Sequence, residues 1–143
     1  MTRINCVPVE LLLDQHLFAE YREIFRVSTL AKPLLNYGSY CLGSGHVKFF
    51  YNKGLYLQKR AEQLYAECRD RGYKVNYWQY KLHAEGLNLD WEPSNQDKIT
   101  CLFRLTEKQV QQASFYKLRG VIVKSTYYLE LLNETRNSSL NNS

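Results

Sequence analysis

Residues 46–73 read HVKFFYNKGLYLQKRAEQLYAECRDRGY. Val47, Phe50, Gly54, Leu57, Ala61, Leu64 and Cys68 follow one another at steps of three and four, which places them on one face of a long helix. Gly72 supplies the stop. Gly54 lies inside that pattern, where glycine costs about 1 kcal/mol against alanine, so a close helix crossing or a slight kink is expected there. Lys59 and Arg60 read as a solvated face. The preceding GSGH, residues 43–46, could turn unpaired helix amides toward an anion. It lacks the phosphate-loop pattern, and a tight turn ahead of the helix is the simpler reading.

An earlier helix is written in DQHLFAEYREIFRVSTLAK, residues 14–32, with Asp14 as N-cap and Pro33 as terminator. Leu13, Leu17, Phe18, Tyr21, Ile24 and Phe25 share an apolar arc, while Gln15, His16, Ala19, Arg22, Glu23 and Arg26 gather opposite. Taken alone, Arg22, Glu23 and Arg26 are a salt-bridged surface, and His16 with Glu20 a helix-stabilising pair. Lys74 to Thr100 has poor periodicity and reads as a long, partly packed loop. A third helix is expected from Thr106 through EKQVQQASFYKLR (107–119), and the second half of VIVKSTYYLELL (121–132) favours helix. The expected class is all-α: a single compact domain, residues 1–133, of three main helices with long connections. Residues 134–143 are expected to form a disordered tail.

The 143 residues carry a net charge of +5 and twelve tyrosines, with a pI near 9.0. That balance suits a polyanionic partner without demanding one. Cys6, Cys41, Cys68 and Cys101 are too dispersed for a zinc site, so no metal is expected. The absence of a secretory leader and of an apolar run of ~20 residues leads to the expectation of a cytoplasmic protein with free thiols and no membrane partner. Such a protein would be nucleoid-associated in a bacterium, or in the host cell if viral. The opening MTRINCVPVE places Thr2 and Arg3 ahead of Ile4, Cys6, Val7 and Val9, enough apolar sequence to pin the N-terminal segment to a core.

Three stretches together closely resemble the pyrimidine-dimer DNA glycosylases of the phage endonuclease V type: MTRINCVPVELLLDQHLFAEYREIFRV (1–27), LGSGHVKFFYNKGLYLQKRAEQLYAECRDRGY (42–73) and FRLTEKQVQQASFYKLRG (103–120). The resemblance implies a compact all-α repair enzyme, monomeric and without a cofactor. It would act on double-stranded DNA containing cyclobutane pyrimidine dimers, as a glycosylase and then as an abasic-site lyase by β-elimination. It assigns the nucleophile to the α-amine of Thr2, exposed on loss of Met1, and the catalytic carboxylate to Glu23. It further implies DNA or substrate contacts by Arg3, Gln15, His16, Arg22, Arg26, Arg104, Lys108, Phe115, Tyr116 and Lys117. The chain departs from the family pattern at Phe25, where a proline is common, and in NYGSYC (36–41), a shorter and less basic connection. The alternative reading is a non-catalytic DNA-binding or architectural protein that keeps the fold. Thr2 together with Glu23 argues against it, because binding alone needs neither group.

Overall fold

The computed structural model describes residues 2–112 and 115–141, with side chains as far as residue 138. It is mostly helical, as expected: α1 (Asp14–Glu23), α2 (Arg26–Leu30), α3 (His46–Phe49), α4 (Gly54–Asp70), α5 (Asn95–Gln111) and α6 (Tyr127–Asn141), with one hairpin of strands β1 (Lys117–Leu118) and β2 (Val121–Ile122). Among the described residues no helix is long and apolar enough to cross a membrane. The chain divides into two compact units, Met1–Asn5 with His16–Glu92 and Cys6–Gln15 with Pro93–Ser143.

In the first unit, the helix expected over residues 14–32 is two helices. Ile24 N–H still donates to Glu20 O four residues back, but Val27 N–H donates to Ile24 O only three back, so the turn tightens between α1 and α2. Ile24 and Val27 are fully buried, and the Phe25 ring meets Tyr21, Trp78 and Tyr80. No glycine or proline marks this break; the packing of Phe25 accompanies it.

The helix expected over 46–73 is also interrupted. α3 passes into a 3-10 turn at Phe50–Asn52, and α4 starts afresh at Gly54. Residues 87–89 supply the reason. Gly54 N–H donates to Leu87 O, Tyr56 N–H to Leu89 O, and Leu89 N–H to Asn52 O, so a distant loop serves the opening amides of α4. From there the expected stripe of Leu57, Ala61, Leu64 and Cys68 is buried. That loop is fastened by His83, whose Nδ1 lies 2.8 Å from the Tyr51 carbonyl and Nε2 2.7 Å from the Tyr80 hydroxyl. Burial pushes the His83 imidazole below its usual range.

Gly54 therefore begins a helix against a loop, rather than easing a helix crossing. A Cβ there would overlap Asn88 Oδ1, the atom that accepts the His83 amide at 2.8 Å. Gly54→Ala should cost about 1–3 kcal/mol by displacing that side chain. Gly43→Ala, where a Cβ meets nothing within 4 Å, should be close to neutral. Urea unfolding of the two variants checks the contrast.

In the second unit, α5 starts eleven residues earlier than the expected Thr106, inside the segment expected as loop. Ser94 caps it: its hydroxyl accepts the Asp97 amide at 3.1 Å, and the Asp97 carboxylate accepts the Ser94 amide at 2.9 Å. α5 ends at Gln111 rather than continuing to Arg119; Ala113 and Ser114 of that expected helix lie outside the described residues. Beyond them the chain forms the hairpin, with Lys117 opposite Ile122 and Leu118 opposite Val121. Arg119 (φ 51°) and Gly120 (φ 82°) make its turn, and a left-handed pair of this kind matches the twist of two strands. Both turn amides donate to the Asp14 carboxylate, at 3.0 and 2.8 Å. α6 packs along α5, with Tyr128 N–H donating to the fully buried Gln109, whose amide donates to Lys124 O. The α6 backbone runs on past Asn133 to Asn141, where composition suggested a tail; Asn142 and Ser143 lie outside the described residues.

Candidate active site

The apolar residues Ile4, Cys6, Val7 and Val9 are all buried, so the N-terminal segment is pinned as its sequence suggests. Within the first unit it lies along the last turns of α1. Asn5 Nδ2 donates to Glu20 Oε1 at 3.0 Å, and three residues earlier Thr2 Oγ1 donates to Glu23 Oε2 at 3.4 Å. Segment and helix thus run in opposite directions, and the helical spacing of three between Glu20 and Glu23 sets two carboxylates against one strand of chain.

The two carboxylates have different surroundings. Glu20 has no exposed side-chain surface and faces Arg60, 4% exposed, through Arg60 Nε–Oε2 at 2.7 Å and Nη2–Oε1 at 3.1 Å. A bidentate pair with a third donor from Asn5 neutralises a charge that burial alone would forbid. Glu23 is 26% exposed, reachable by solvent, and stands between two cations. Arg26 Nη1 is 3.2 Å from Oε2 and Arg22 Nε is 3.9 Å from Oε1. Those arginines are 70% (Arg22) and 61% (Arg26) exposed, so their remaining donors are open to a polyanion. Such exposed pairs contribute little to stability, about 0–1 kcal/mol.

Thr2, Arg22, Glu23 and Arg26 are therefore brought into one cluster. Arg3, half-buried, donates through Nη1 to the Leu42 carbonyl at 2.7 Å, and His16 is half-buried on α1. Beside Arg22, Tyr21 stacks on Trp78 with centroids 5.9 Å apart, and burial raises the Tyr21 phenol above its usual range. An open hollow of about 420 Å³ is lined by Phe18, Tyr21, Arg22, Asn76 and Trp78.

The remaining sequence candidates belong to the second unit. Gln15 brackets the base of the hairpin: its amide donates to the Phe115 carbonyl at 2.6 Å, and its oxygen accepts the Lys117 amide at 3.1 Å. Phe115 is exposed and meets the buried Tyr116 edge-on at 5.2 Å. Burial raises the Tyr116 phenol, and the charge of Arg104 opposes that rise. Lys108 on α5 and Lys117 on β1 are exposed.

Sequence reasoning missed Asn5, Tyr40, His46 and Arg60, and paired Glu20 with His16 rather than with Arg60. Arg60 sits one residue after the exposed Lys59 and reads as solvated. Its helical phase, three residues after Leu57 and four before Leu64, was the available signal that it faces inward.

The sequence model of a family described as pyrimidine dimer DNA glycosylase matches residues 1–79. The match contains the whole cluster of Thr2, Arg22, Glu23 and Arg26, together with Glu20, His46 and Arg60.

Proposed function

Since the chain belongs to the pyrimidine dimer DNA glycosylase family, we propose that it excises the damaged base through a Schiff base on the α-amine of Thr2 and then breaks the strand as a lyase. The observation that supports this reading is the bond from the Thr2 hydroxyl to the Glu23 carboxylate, which sets the residue that would carry the α-amine after loss of Met1 beside one carboxylate.

The chemistry follows from the two groups. An α-amine with a pKa near 8 is roughly a fifth to a third neutral at pH 7.4, whereas a lysine near 10.4 is about one part in a thousand. The neutral amine attacks C1′ of the damaged nucleotide as the glycosidic bond breaks, and the base departs with that bonding pair. Positive charge on the sugar is stabilised by the Glu23 carboxylate. Loss of a proton from nitrogen and of the ring oxygen's bond to C1′ leaves the Schiff base. Glu23 then takes a proton from C2′, and the 3′ phosphate leaves with its electron pair. Arg22 and Arg26 hold phosphates of a duplex whose damaged step is unstacked, at a cost of a few kcal/mol. Arg3 and His16 would line the same site, as the family resemblance implies. Gln15, Arg104, Lys108, Phe115 and Lys117 supply further DNA contacts, while Tyr116, expected among them, is buried and meets Phe115 edge-on. An amine that forms its own electrophile needs no metal or cofactor, and the enzyme acts as a monomer.

Borohydride trapping on a duplex with one site-specific cyclobutane thymine dimer tests this. The expected product is a covalent adduct whose cross-linked peptide begins at Thr2, joined through the α-amine. An adduct on a lysine, or none with the dimer cleaved, would sink the assignment. Trapping on an abasic duplex alone would keep the lyase and remove the dimer glycosylase step from this mechanism.

A further inference from the structure

Ile4 is gripped on both sides by one short stretch of chain. Its N–H donates to His46 Nε2 at 2.9 Å, and its carbonyl accepts the Tyr40 hydroxyl at 3.0 Å. One residue earlier, Arg3 reaches the Leu42 carbonyl. Residues 40–46 thus bracket the segment that leads back to Thr2.

His46 is 2% exposed and bonded at both ring nitrogens. Nδ1 lies 2.7 Å from the Cys41 carbonyl, which can only accept, so Nδ1 carries a hydrogen. The Ile4 amide can only donate, so Nε2 is bare. The ring is therefore neutral and in one defined tautomer.

We propose that His46, in this neutral form, is the positioning residue for the Thr2 amine: by accepting the Ile4 amide it sets where the N-terminus stands against Glu23. The inference rests on Thr2 being the nucleophile. A chain end is the most mobile part of a protein unless tied down, and a misplacement of about 1 Å from a near-attack geometry can cost about 100-fold in rate. Thr2 lies two residues from the His46 bond, so a change at Ile4 is transmitted to the amine with little slack.

A proton added at Nε2 would set two N–H groups face to face and open the bracket. The ring meets Tyr40 and Phe50 edge-on, with centroids 5.5 and 5.7 Å away. Ionisable groups beside the bracket include the Tyr40 phenol, whose ring meets His46, and the Arg3 guanidinium, which reaches the Leu42 carbonyl. Glu20, which takes the neighbouring Asn5, is neutralised by Arg60.

The test is single-turnover borohydride trapping on an abasic-site duplex across pH, for the full chain and for His46→Phe and His46→Gln, with duplex binding measured alongside. His46→Phe should slow adduct formation about 100-fold while leaving duplex binding unchanged. His46→Gln offers a carbonyl to the Ile4 amide and cannot take a proton. It should restore most of the rate at neutral pH, and its acid limb should reflect protonation of the amine alone and be shallower than that of the parent. Long-range proton–nitrogen spectra should show the parent ring neutral and protonated at Nδ1. If His46→Phe does not fold, the His46→Gln pH profile and the ring tautomer decide the matter. Normal trapping by His46→Phe, an acid limb unchanged in His46→Gln, or a ring protonated at Nε2 would each overturn the inference alone. A parent protein that forms no adduct through Thr2 would overturn the Schiff-base reading and this inference together.

Discussion

A Glu23→Gln variant is expected to bind dimer-containing duplex as well as the parent and to excise the base roughly 10²–10⁴-fold more slowly, the range for removing a positioned acid–base group. Glutamine keeps the length of the side chain and an oxygen that can accept from Thr2 Oγ1 and Arg26, the partners at 3.4 and 3.2 Å. In the proposed mechanism it loses the negative charge that would stabilise a cationic sugar and the basicity that would remove the C2′ proton. Binding should hold or rise, because Glu23 competes with phosphate for the exposed arginines on either side. The fold should be unaffected, since exposed pairs of this kind contribute about 0–1 kcal/mol. The measurement is single-turnover excision on a site-specific dimer duplex beside a binding titration. Excision at the parent rate would remove Glu23 from the chemistry.

Arg60→Met should be the most destabilising of these substitutions. It leaves Glu20, fully buried, with a negative charge and only the Asn5 amide of the three donors that now face it. Breaking one side of a buried pair costs about 3–5 kcal/mol, and a fall in melting temperature of roughly 10–20 °C follows for a chain of this size. Lys59→Met is the control one residue away. Lys59 is 56% exposed and pairs with the exposed Asp90 at 2.7 Å, so its loss should cost no more than about 1 kcal/mol. The Asp90 carboxyl, held below its usual range by the Lys59 hydrogen bond, would rise toward the ordinary value in that variant. Replacing both members of the buried pair, Glu20→Leu with Arg60→Met, should recover part of the stability, because no charge is then stranded. Equal losses in Arg60→Met and Lys59→Met would show that the pair does not anchor the N-terminal segment.

The parts of the fold legible in the chain are those in which a residue's fate depends on its near neighbours. The stripe Leu57, Ala61, Leu64 and Cys68 is buried as its spacing demands, and the apolar run after Arg3 is buried in full. The capping box that starts α5 is also local, in Ser94-Asn-Gln-Asp97 behind Pro93, although the poor periodicity of residues 74–100 reads as loop. The turn at Arg119-Gly120 likewise left a sign in its glycine, outweighed by the helical look of the residues ahead of it. The break between α1 and α2 left none, since Ile24 and Phe25 are as compatible with a continuous helix as their neighbours.

For the site, the order of residues alone sets which groups are available: a threonine at position 2, a carboxylate flanked by arginines on one helical stripe, and a basic aromatic chain. It also determined which helix face turned inward, because side-chain direction in a helix follows from a fixed 100° per residue. The fold, by contrast, sets Glu20 in the interior, paired with Arg60, and Glu23 near the surface, three residues apart on the same helix. The difference comes from partners 15 to 40 positions distant, Asn5 and Arg60 for the one and Thr2 for the other. Charge burial and tautomer are set by what closes around a group, and that is a property of the folded neighbourhood rather than of the local sequence.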